Sequence, residues 1–261
     1  LKWDNRTLED RFLLQVKART NQYNAPITLF INVGQLGAGK NKSTIFNWYD
    51  ADASWHTEYA YAAGSTVSHT GIVRLNSTHF VAGYCINANL TAIAGYYDAD
   101  DYEIHYGEPK TIASDTNVLL GWSGFDVCTL NGDASNPTAL FAYVKDNSGD
   151  DGFCTAVSVS GIALTLGSEI EFNNADSEYI VCTNLDDDKA VILYNDEGAS
   201  DTFMGIVITA SGTTLTANTE YETGTDYYSK NIAITKLDTD QFFAIFESED
   251  DRDGYGVVGT V

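Results

Sequence analysis

Apolar runs of four to seven residues alternate with short polar turns along most of this chain, and one arrangement of them keeps returning. Leu75, Leu130, Leu185 and Leu237 each stand before a polar turn, at spacings of 55, 55 and 52 residues. An apolar segment follows every turn: Phe80 to Tyr84, Leu140 to Tyr143, Ala190 to Tyr194 and Phe242 to Phe246. The second half of the unit repeats as well. Thr155–Val159, Ser160-Gly161, Ile162–Leu166 and Glu169 match Ile206–Ala210, Ser211-Gly212, Thr213–Thr216 and Glu220. Ser-Gly between two such segments predicts a tight hairpin, because glycine accepts positive φ at little cost. β-branched and aromatic residues crowd the apolar runs, and helical periodicity is nearly absent, so each unit reads as four antiparallel strands.

A fifty-residue period of short strands predicts an all-β fold, a β-propeller of four-stranded blades. About five units fit, at residues 67–121, 122–177, 178–229 and 230–261, with a divergent copy at 1–66. In that copy Leu8, Phe12–Val16, Ile27–Val33, a turn region at Gly34–Lys40 and Ser43–Trp48 keep the order of strands and turns. The last unit reads as incomplete. Gly256–Val261 aligns with Gly205–Ala210, which predicts an open strand edge at Gly256, Val257, Val258 and Val261. Such an edge is a template for strand addition from another chain.

Charge narrows the functional classes. Thirty-seven acidic residues against fourteen basic ones give a net charge of −23, which disfavours nucleic acid and anionic membranes as partners. No run of 18 apolar residues predicts a transmembrane segment. The acidic residues gather in loops. Asp146, Ser148 and Asp150, then Glu249, Asp251 and Asp253, alternate oxygen ligands and run into Gly152 and Gly254. Alternating carboxylates beside a glycine that permits a sharp turn predict Ca²⁺ as a possible cofactor. The plainer reading is a set of solvated acidic hairpin loops.

Four cysteines allow three pairings. Antiparallel strand order places Cys85 near Cys128, and Cys154 near Cys182, so a disulfide is expected in each pair, stapling neighbouring units; four buried thiols are the alternative. Asn5, Asn41, Asn76 and Asn89 begin N-glycosylation sequons, three of them in predicted turns. Together these features predict a mature secreted chain, extracellular or on a cell or virion surface. His56, His69, His79 and His105 join no nucleophile or metal motif, and neither a Gly-x-Ser-x-Gly elbow nor a nucleotide loop is present. No catalysis is therefore expected. Exposed-aromatic candidates for stacking on a glycan are Trp48, Tyr49, Trp55, Tyr96, Tyr97, Trp122, Tyr227 and Tyr228, with inter-blade packing as the competing role.

The units resemble the propeller repeats of secreted and surface proteins over nearly the whole chain, and the acidic loops resemble, over about eight residues, those of integrin-type propellers. The first resemblance implies extracellular recognition or scaffolding and transfers no catalytic residue. The leading expectation is a structural or adhesive glycoprotein that self-associates, or meets an extracellular protein or glycan, through its last blade. A lectin-like propeller is the alternative, and a glycoside-cleaving enzyme stands third.

Overall fold

A computed structural model describes residues 28–33, 42–49, 52–55, 67–99, 103–114, 124–132, 136–145, 149–197, 202–223 and 228–261. Five antiparallel sheets follow one another along the chain, and no described segment is helical beyond a single turn residue. The first contains β1 (Thr28–Val33), β2 (Lys42–Tyr49) and β3 (Asp52–Trp55). The second is ordered β4 (Val67–Arg74), β5 (His79–Ile86), β6 (Asn89–Asp98) and β7 (Glu103–Tyr106), with β8 (Lys110–Ala113) continuing the outer position on β6. The third repeats that plan with β9 (Phe125–Asn131), β10 (Thr138–Lys145), β11 (Asp151–Ser160), β12 (Ala163–Leu166) and β13 (Ile170–Asn173). The fourth is β14 (Ser177–Asp186), β15 (Lys189–Asp196), β16 (Thr202–Ser211) and β17 (Thr214–Glu222); the fifth is β18 (Ser229–Asp238), β19 (Gln241–Ser248) and β20 (Gly254–Thr260).

This is the blade order of a β-propeller, as the repeat predicts. The Ser-Gly hairpins form where expected, with Gly161 and Gly212 at φ of 60° and 63°. Consecutive sheets stack face to face through three cores. One joins sheets two and three around Val81, Leu90, Phe141 and Tyr143; the next joins three and four around Leu140, Ile180, Ile192 and Tyr194. The last joins four and five around Leu185, Leu193, Phe203 and Phe246. Position in the stack explains the strand patterns. β10 lies between two sheets and is buried along seven consecutive residues, whereas β19 alternates, with Phe242, Ala244 and Phe246 inside and Phe243 and Ile245 outside.

The repeated leucine points each time toward the next sheet. Leu75, Leu130 and Leu185 are at most 4% exposed, but Leu237 is 55% exposed. Phe243 (37%), Ile245 (50%) and Val258 (58%) share its environment. Their counterparts Val191 and Leu193 in the fourth sheet are covered by the fifth. Close approach between sheets is held by glycine at one recurring place. A Cβ on Gly107 would collide with the carbonyl oxygen of Ile162, and one on Gly167 with that of Thr213.

The expected disulfides are not formed: all four cysteines are buried free thiols. Cys85 lies in the core between sheets two and three, while Cys128 lies in the core between three and four. The reason is strand alternation. Val127 faces the second sheet, so its neighbour Cys128 points the opposite way, away from Cys85. Cys182 belongs to the same core as Cys128 and Cys154, and its N–H is donated to Asp126 on β9, the strand that carries Cys128.

Candidate functional site

The second sheet places three polar rings in a row. His79 on β5 is directly opposite Tyr96 on β6, and Tyr96 is directly opposite His105 on β7. Directly opposed side chains on one face of a sheet stand close enough to pack. The rings of Tyr96 and His105 stack at 4.8 Å between centroids and 19° between planes, and His79 lies 5.7 Å from Tyr96 at 31°. All three are half-buried. At the β4–β5 turn, Asn76 Oδ1 accepts the N–H groups of Thr78 (3.0 Å) and His79 (2.9 Å), and the His79 ring nitrogen Nδ1 lies 3.0 Å from Thr78 Oγ1. The turn thus fixes the first ring of the row. Stacking occupies the faces of Tyr96, so the row presents ring edges and not an aromatic face.

A second recurring arrangement joins a buried phenol to a carboxylate near the sheet edge. Tyr143 donates to Glu169, which also pairs with Lys145, and Tyr194 donates to Glu220, 51 residues further on in both members. Burial, then the adjoining carboxylate, pushes both phenols above their ordinary range, so they remain donors at all physiological pH. Tyr228 donates to Glu178 in the same manner, which commits one of the candidate stacking rings to an internal bond.

The acidic loops are only partly described; Asp146 and Ser148 lie outside the described residues. Asp251 is fully exposed, accepts the Tyr255 hydroxyl and the Asp253 N–H, and is held below the usual carboxylate range, chiefly by the Tyr255 bond. Asp150 adopts φ of 64° beside Gly149 in its turn. The Asp176 carboxyl is raised by burial and then by Asp150, with Asp196 and Asp151 adding to the effect. Among the described residues, no three His, Cys, Asp or Glu side chains are placed to hold a metal ion. The Ca²⁺ candidates Asp150, Glu249, Asp251 and Asp253 are divided between two loops, on sheets three and five.

Of the other candidates, Asn76 sits in the β4–β5 turn and Asn89 opens β6, while Asn5 and Asn41 lie outside the described residues, as do Trp122 and Tyr227. Gly256, Val257 and Val258 form part of β20, the outer strand of the last sheet, and Val261 donates its N–H to the Asp240 carbonyl (2.8 Å). The ring row was not legible as a unit in the sequence: Tyr96 carried an aromatic signal, but His79 and His105 join it only through strand register.

No family model and no curated protein matches this chain. Solved structures do. AofleA from Arthrobotrys oligospora aligns over 89% of this chain with a TM-score of 0.56 and 12% identity. The NanB sialidase from Streptococcus pneumoniae, solved in complex with 2-[(3-chlorobenzyl)ammonio]ethanesulfonate, aligns over 85% with a TM-score of 0.52, also at 12% identity. The chain spans 65% and 36% of the lengths of these two proteins. At such identity the likeness is one of fold, and it agrees with the blade order described above.

Proposed function

We propose that the chain is a glycan-binding β-propeller of the lectin kind, acting outside the cell or on a virion surface. The observation that carries this reading is the His79–Tyr96–His105 row, a preorganised strip of hydrogen-bonding rings on the face of the second sheet. With the faces of Tyr96 taken up by the two imidazoles, it is the polar ring edges that suit the hydroxyl groups of a carbohydrate. A fold shared with a sialidase supports carbohydrate as the ligand class. The net charge of −23 favours neutral over sialylated or sulfated glycans, because an anionic ligand approaches against the field of the whole molecule. The test is a glycan array that contains neutral and sialylated members, followed by fluorescence titration of any hit. Neutral glycans are expected to bind, and Tyr96→Ala to weaken binding at least tenfold while leaving the melting transition cooperative. An array without hits, or a Tyr96→Ala variant that binds like the parent, would refute this function.

A second reading, self-association, is favoured by the last sheet. Leu237, Phe243, Ile245 and Val258 leave an apolar face exposed, and the outer strand β20 has no further partner among the described residues. Sedimentation at rising concentration should show oligomers that Ile245→Lys abolishes. A strictly monomeric parent at high concentration removes this reading and leaves the first intact.

A further inference from the structure

Cys128 lies two residues before Leu130, whereas Cys182 lies three residues before Leu185. In a strand, an offset of one residue turns a side chain to the opposite face. Cys128 therefore points forward from the third sheet, and Cys182 points back from the fourth. β14 packs against β9, and both thiols lie in the core between their sheets. Contacts on either side of the pair fix this register. The Oδ2 atom of Asp126, two residues from Cys128 on the same face of β9, accepts the Cys182 N–H at 2.8 Å. On the reverse face Thr129 Oγ1 donates to the Arg74 carbonyl at 2.8 Å. One interface earlier, the equivalent places hold Val73 and Val127, which share the core between sheets two and three. A thiol pair thus replaces an apolar pair at a single interface of the stack.

We propose that Cys128 and Cys182 form a disulfide that ties the third and fourth sheets together whenever the chain folds in an oxidising environment. Cys85 and Cys154 remain thiols. The reaction is an exchange with a low-molecular-weight disulfide such as oxidised glutathione. One cysteine thiolate attacks it, forming a mixed disulfide and releasing one glutathione thiolate. The second cysteine then displaces the other, so that one S–S bond forms, one breaks, and the protons of the two cysteines end on two reduced glutathiones. Cys154 is excluded as partner of Cys128 by the sheet itself. The two flank β10, opposite Ala142 and Leu140, and two strand spacings separate them by about 10 Å, beyond the Cα reach of a disulfide. Cys85 is on the wrong side of the third sheet. Burial raises the Cys182 thiol well above its ordinary range, so the thiolate is scarce once the core has closed. The bond consequently forms during folding and only slowly in the folded, reduced chain.

The test is refolding of the full chain in a glutathione redox buffer, then thiol counting in denaturant and peptide mapping without reductant. Two thiols of four should disappear, with a single linked peptide pair that contains Cys128 and Cys182. Thermal melting of this material should shift downward on adding a phosphine reductant, and Cys85→Ala and Cys154→Ala should keep both the link and the shift. Four thiols after oxidative refolding, or a link that contains Cys85 or Cys154, overturns the proposal. Both outcomes are read on the parent chain, so they do not depend on a variant folding.

Discussion

Asp126 carries a conflict within one side chain. Burial raises its carboxyl above the ordinary range, while the backbone N–H groups of Cys182 and Val127 pull in the other direction. The net shift is upward, so the folded state holds this proton more tightly than the unfolded chain does. Its contribution is favourable below the unfolded value near 4 and is lost as pH rises through the folded value. An Asp126→Asn variant keeps an acceptor for the Cys182 N–H and removes the charge. We expect it to match the parent at pH 4 and to exceed it increasingly toward pH 7, measured as denaturant midpoints at several pH values. A variant that trails the parent at pH 7 would mean that the charged form is the one the interface favours. The thiol of Cys85 has no such conflict: burial alone pushes it up to about 12, as expected of a side chain that serves only to fill space.

At the scale of the element, much of the fold was legible because the strand period is short and the repeat is long. The leucine register, the apolar second strand and the Ser-Gly hairpin each reappear where the pattern puts them, since all three are local. Antiparallel order alone brings Cys85 near Cys128, but strand alternation turns Cys128 to the other face of the third sheet, away from Cys85. The ring row was missed for a related reason: His79, Tyr96 and His105 become neighbours only through the registers of β5 with β6 and β6 with β7. The leucines show how far the same residue depends on its place in the array. Leu185→Ala, in the core between sheets four and five, should cost roughly 2–5 kcal/mol by cavity formation. Leu237→Ala should change stability by no more than about 0.5 kcal/mol, as a surface substitution does. Urea unfolding of both variants checks the pair; similar losses would show that Leu237 is covered in solution.

Among the described residues, sheets two to five form a stack in which each of the three interfaces joins two different faces. One face presents the repeated leucine with Val191 and Leu193 or their counterparts; the other presents Phe242, Ala244 and Phe246 or theirs. The Cys128–Cys182 link, closing a loop of roughly 54 residues, would add on the order of 4 kcal/mol by the chain-entropy estimate, at a single junction. That junction would then open after its neighbours under heat or denaturant. The exposed leucine face of the fifth sheet has a different consequence. By analogy with the interface between sheets four and five it matches an aromatic face like that of Phe242, Ala244 and Phe246, so a contact of that kind between chains would be head to tail, without two-fold symmetry. An association of that kind has no built-in stopping number: its size is set by whether the turn per unit closes a circle, and otherwise only by concentration.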